Sequence, residues 1–132
     1  MQNIYNRIED LKDTIFLKKL IAKANNGNIL KSKGPYTFFA PMDSYFLEMT
    51  NQEFFDGLVE PDSGSDLLSK KIVLGFLKRE DLLKMDEIET LSNDSYKINL
   101  VDGEILISDF KITESDLLCS NGLIHLVDIA QF

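Results

Sequence analysis

Apolar positions in this chain keep two different rhythms. In the first part they recur at helical spacing: Ile4, Ile8 and Leu11 share one face, and Ile15, Phe16, Leu20 and Ala24 share another. That spacing predicts two amphipathic helices. Asp13 stands where the second helix needs an N-cap, and Asn25-Asn26-Gly27-Asn28 offers residues that tolerate left-handed backbone where it should end. After Ile29-Leu30 and the polar Lys31-Ser32-Lys33, Gly34-Pro35 breaks the pattern, because proline has a fixed φ and no N–H to donate. Tyr36 to Ala40 is then a short aromatic and β-branched run that suits a buried strand. Pro41 stops it, and Asp43 can cap a helical turn presenting Tyr45 and Phe46.

The middle of the chain is helical in period but interrupted. Thr50-Asn51-Gln52-Glu53 reads as a capping box in front of Phe54, Phe55 and Leu58. Glu60-Pro61-Asp62-Ser63-Gly64-Ser65 is dense in turn formers and reads as a loop. Asp66 to Leu74 places Leu67, Leu68 and Ile72 on one helical face, Gly75 interrupts it, and Phe76-Leu77 reads as the start of a strand. Glu80-Asp81-Leu82-Leu83 predicts a short helical turn, followed by a polar stretch around Asp86-Glu87-Ile88-Glu89.

From Tyr96 the period becomes two. Tyr96, Ile98 and Leu100 alternate with Lys97 and Asn99, as in a half-buried strand. Asp102-Gly103 is a hairpin turn, Ile105-Leu106-Ile107 returns the chain, and Phe110 and Ile112 continue the alternation. Thr113 to Ser120 reads as a polar-led connection, Asn121-Gly122 as a turn, and Leu123 to Ile129 as a closing strand. Helices first and antiparallel strands last give an α+β class.

Composition narrows the function more than the fold. The 132 residues, 44% hydrophobic and 27% charged, fit one soluble domain over residues 1–132, with no linker-like stretch and no internal repeat. A formal net charge of −8 argues against a nucleic-acid backbone or an anionic lipid surface, and favours cationic or neutral partners. No apolar run approaches the roughly 20 residues of a membrane span. The segment Met1 to Arg7 has no secretory-signal pattern, so the chain either stays in the cytoplasm or has lost a leader. Cys119 is the single cysteine, which excludes an internal disulfide and suits a small buried hydrophobe.

Catalytic chemistry finds little support. The one histidine, His125, sits in an apolar strand pattern, there is no Gly-x-Ser-x-Gly elbow, and Gly27, Gly34, Gly57 and Gly64 are isolated. Glu9, Asp10 and Asp13 read as a solvated face and a cap rather than a metal cluster. Glu87 and Glu89 read as solvation, and Phe46, Phe54 and Phe55 as core packing. The expectation is a non-enzymatic protein without a cofactor.

Two stretches carry a resemblance. Gly34-Pro35-Tyr36-Thr37-Phe38-Phe39-Ala40-Pro41-Met42-Asp43-Ser44-Tyr45-Phe46 resembles the first signature of the fasciclin-type domain. Asp116-Leu117-Leu118-Cys119-Ser120-Asn121-Gly122-Leu123-Ile124-His125-Leu126-Val127-Asp128 resembles its second. The pair covers nearly the whole chain by position. The resemblance implies a wedge-shaped β-sandwich with helices flanking its N-terminal half, the two signature strands adjacent in the core, and His125 hydrogen-bonded inside. On this basis Thr37, Phe39, Ala40, Pro41, Asp43, Phe46, Asn121, Gly122, Ile124, His125 and Asp128 are mainly structural.

Two departures are visible. Where family members carry a Tyr-His pair and a Pro-Gly turn, linked in animal members to integrin-dependent adhesion, this chain reads Ile72-Val73-Leu74-Gly75-Phe76-Leu77-Lys78-Arg79. Met42 replaces a family threonine, which moves the capping role to Asp43 or Ser44. Asp116 and Leu117 resemble part of a second adhesion-associated segment and are candidate partner contacts. The implied function is interaction or adhesion with a protein or cell-surface partner, outside the cell. A carrier of a small apolar pigment or lipid, and an intracellular scaffold domain, are the alternatives.

Overall fold

The computed structural model describes residues 1–48 and 60–130. The expected capping box at Thr50–Glu53 and the aromatic pair Phe54 and Phe55 lie outside the described residues.

Helix α1 spans Ile4–Glu9 and buries Ile4 and Ile8, as their spacing predicts; the Asn3 side chain caps it by accepting from Asn6 N–H at 2.8 Å. Helix α2 spans Ile15–Lys23. Its expected cap, Asp13, is instead a left-handed residue with φ 58°. The cap comes from across the fold: Asp43 Oδ1 accepts from Phe16 N–H at 2.9 Å, while Asp43 N–H donates to Asp13 O at 2.8 Å. Asp43 therefore fastens α2 to its own helix, α3 (Asp43–Leu47), whose N-cap position is held by Met42. A 3₁₀ turn at Gly27–Lys31 and strand β1 (Tyr36–Pro41) lie between α2 and α3.

Helix α4 spans Pro61–Ser69, which corrects two expectations. The turn formers after Glu60 open a helix rather than a loop, because Pro61 occupies a first-turn position where its missing N–H costs nothing. The helix also ends sooner than its apolar spacing suggests, and Ile72–Leu74 is a strand, β2. Phe76 and Leu77 start no strand. Helix α5 covers Arg79–Leu82, close to expectation, and the polar stretch contains a short strand, β3 (Glu87–Glu89), around the buried Ile88.

Strands β4 (Ser95–Val101) and β5 (Glu104–Ile107) form the expected hairpin, with Asp102 and Gly103 both at positive φ. Strand β6 runs from Phe110 through to Cys119, so Thr113–Ser120 is not a connection. Its register shifts between Ile112 and Glu114 and again between Glu114 and Leu117, and these irregularities hide the alternation. Strand β7 (Gly122–Ile129) closes the chain.

The sheet order is β2-β1-β7-β6-β5-β4-β3. The late strands pair antiparallel as expected, and the two signature strands lie adjacent, β1 running parallel to β7 from Tyr36↔Gly122 to Pro41↔Val127. Both strands are buried on two faces, which explains their nearly continuous apolar sequence. Phe38, Ala40, Ile124 and Leu126 face the helices with Leu17, Leu20 and Phe46. Phe39 and Val127 face the other way, into a core of Val73, Ile88, Ile105, Ile107 and Phe110. One central strand pair thus serves two cores, and the fold is an α+β wedge.

Candidate functional site

His125 is fully buried on β7, with its ring stacked on Phe39 at a centroid distance of 5.5 Å. Asp116 N–H donates to Nδ1 at 3.2 Å, so the ring proton lies on Nε2, which donates to Leu77 O at 2.7 Å. Burial lowers the imidazole pKa from its ordinary 6.5, against the opposing pull of the Leu77 carbonyl and the Asp116 carboxylate. The carboxylate stands 3.9 Å from Nδ1 and is committed elsewhere: its Oδ1 accepts from Arg79 N–H at 2.8 Å. A neutral ring with both nitrogens engaged cannot shuttle protons or bind a metal without breaking the structure.

Thr37 on β1 repeats this logic. Its hydroxyl donates to Gly75 O at 2.9 Å and accepts from Leu77 N–H at 2.9 Å. Thr37, His125 and Asp116 together hold the segment from Gly75 to Arg79, the place where the family's Tyr-His pair was missing. The segment carries Phe76 out to solvent with 42% of its surface exposed, next to Leu74 at 67%. The structure so joins Asp116 to the stretch where the family's Tyr-His pair is absent. Asp116 is exposed at a left-handed bulge (φ 62°), whereas Leu117 packs partly against the helical core and Leu118 is the exposed neighbour.

The remaining signature residues are staples. The Asn121 amide donates to Leu30 O at 2.9 Å and Ser32 O at 2.8 Å, and its Oδ1 accepts from Ile4 N–H at 2.9 Å. One side chain thereby ties α1, the 3₁₀ turn and the β6–β7 turn. Gly122 faces the backbone of Tyr36 so closely that a Cβ there would run into the Tyr36 carbonyl. Ala40, Ile124 and Phe46 lie in the helical core, and Pro41 ends β1 against Val127. Asp128 accepts from its neighbour, Ile129 N–H, at 2.7 Å.

Sequence reasoning passed over Lys71. It is buried, with its ammonium 5.1 Å from the Tyr45 ring and 4.9 Å from the Phe110 ring, and burial lowers its pKa while Asp109 opposes. The available signal was its place directly before the buried pair Ile72-Val73; its neighbour Lys70 takes the exposed ion pair with Asp66. The apolar cavity beside it, lined by Leu17, Phe38 and Phe46 among others, measures about 20 Å³. That is space for about one water. Among the described residues no helix is long and apolar enough to cross a membrane.

"Transforming growth factor-beta-induced protein ig-h3" of Sus scrofa is 26% identical over 129 residues, which are 96% of this chain but 19% of that protein. Stabilin-1 of Mus musculus is 29% identical over 75% of this chain and 4% of its own length. The uncharacterized protein sll1735 of Synechocystis sp. is 23% identical over 82% of this chain and 80% of its own. This chain therefore spans a small part of the two animal relatives. In structure it is similar to a FAS1 domain pair from the insect cell adhesion molecule fasciclin I, with a TM-score of 0.84, 15% identity, and coverage of 99% of this chain and 51% of that one. The sequence model of the fasciclin domain matches residues 12–130, and the chain belongs to the fasciclin domain family.

Proposed function

We propose that residues 1–132 form one non-enzymatic interaction module that binds a protein partner at a cell surface or in extracellular matrix. The observation that carries this is the segment from Gly75 to Arg79, which exposes Phe76 and is tied down beside it by Leu77 O to His125 and by Arg79 N–H to the exposed Asp116. Such a face has a rigid base and an apolar and an acidic contact, as a partner site needs. Leu117 contributes its half-exposed edge. Relatives support the reading: the neighbour of known structure is described as a cell adhesion molecule. The enclosed apolar cavity beside Lys71, at about 20 Å³, is too small for a pigment or lipid.

The test is attachment of source-organism cells to a surface coated with the protein, alongside protease shaving of intact cells. Shaving removes the native protein, and cells attach. Phe76→Ala and Asp116→Asn each reduce attachment several-fold while the fold is kept, since asparagine tolerates left-handed backbone and its oxygen still accepts from Arg79 N–H. Survival of the protein on shaving, with recovery in the soluble fraction, would sink the surface role.

A further inference from the structure

The sheet has two edges, β2 and β3, and they flank one groove. At one end they touch: Leu91 N–H, just past β3, donates to Ile72 O at 2.9 Å. Beyond that bond they part around an open groove of about 460 Å³, lined by Leu74 and Leu77 on one side and by Met85, Glu87, Ile88 and Glu89 on the other.

Register decides which backbone groups look into this groove. Between β1 and β2, Phe39 N–H bonds Lys71 O and Gly75 N–H bonds Pro35 O. Antiparallel alternation therefore turns residues 71, 73 and 75 toward β1 and leaves the Leu74 N–H and C=O pointing outward. Between β3 and β4, Ile98 N–H bonds Asp86 O and Thr90 N–H bonds Asp94 O. Asp86, Ile88 and Thr90 face β4, and Glu87 and Glu89 direct both backbone groups outward. The bond from Leu91 to Ile72 uses the same outward set, so the seam has started to close and stopped.

We infer that this seam accepts an extended cationic segment of a partner protein as an added strand. This rests on the interaction-module reading above and gives the partner its chemistry. Outward backbone groups on both sides can bond one inserted strand. Its alternate residues would be apolar, set against Ile88, Leu77 and Met85. The others would lie outside beside Glu87 and Glu89, the charged residues that line the groove among the described residues. Edge-to-edge pairing with a second copy is opposed by charge, because like edges would bring their glutamates together.

The experiment titrates ¹⁵N-labelled protein with the peptide acetyl-Lys-Val-Lys-Val-Lys-amide. The controls are its Glu-for-Lys counterpart and a backbone N-methylated analogue. The expected result is saturable amide shifts centred on Leu74, Glu87 and Glu89, absent with both controls. The double variant E87K/E89K binds about tenfold more weakly, the effect of two partly exposed charge pairs. Leu74→Pro, which removes only an outward N–H, also weakens binding while its spectrum stays folded.

Shifts scattered over the whole acidic surface, or equal affinity in E87K/E89K, would overturn the inference. So would broadening of the same amides with protein concentration in the absence of peptide. Cell attachment that depends on Phe76 while the seam stays silent would sink the seam alone. Peptide binding at the seam with no cell attachment would sink the surface role alone.

Discussion

Two seams in one sheet show what the chain spends its specific residues on. The β1–β7 seam at the centre is parallel, buried on both sides and crossed by side-chain bonds from Thr37, Asn121 and His125 to three other segments. The β2–β3 seam closes with a single bond between Leu91 and Ile72 and then opens. The first is over-determined, so a change there costs folding. The second leaves backbone groups to solvent, so a change there costs little stability and can alter binding. Family signatures map onto the first seam, which is why they report fold rather than partner.

That contrast can be broken in a definite order. Gly122→Ala should have the largest effect, because the new Cβ meets the Tyr36 backbone where nothing flexible can yield. About 4 kcal/mol or more of stability should be lost, measured by urea unfolding, or no folded protein recovered. Asn121→Ala comes next, at about 2–4 kcal/mol, since it strands Ile4 N–H and the carbonyls of Leu30 and Ser32 in a largely buried site.

His125 should have a smaller, pH-dependent effect. Burial lowers its folded pKa below 6.5, so the unfolded chain takes up the proton first as pH falls. Its contribution is fully present above about pH 6.5 and is lost progressively below that, toward the folded value. Unfolding midpoints between about pH 7 and 5 should therefore fall for the native chain and stay flatter for His125→Gln; parallel profiles would refute this. At the other seam, E87K/E89K should unfold within about 0.5 kcal/mol of the native chain, as exposed substitutions do. A larger loss would mean the open edge is structural after all.

Much of this was legible in the chain. Ile4 and Ile8, the Asp102-Gly103 hairpin and the two signature strands were plain, because period and turn chemistry agree there with burial. Pro61 misled because the residues that make turns also start helices, and only the apolar contacts of Leu67 and Leu68 settle which they do. Strand β6 was cut short because its register shifts break the period of two at Glu114 and Leu117. Asp13 was a plausible cap locally, yet Asp43 does the work from a distant strand end, and no local pattern announces that. The same limit applies to the candidate sites. His125 as an internal anchor could be read from its apolar neighbours, but its pairing with Leu77 and the exposure of Phe76 exist only once β1 and β7 lie side by side.

The parallel pairing of β1 with β7 also bears on synthesis. The middle of the sheet is built from a strand made early and one made only after β2 to β6. A nascent chain still holding β7 in the ribosomal tunnel would have β1 made but missing its central neighbour. Both cores would stay open until translation of that strand ends. Such high contact order slows folding and lengthens the exposure of apolar strands, so chaperone demand for this domain should peak just before β7 leaves the tunnel.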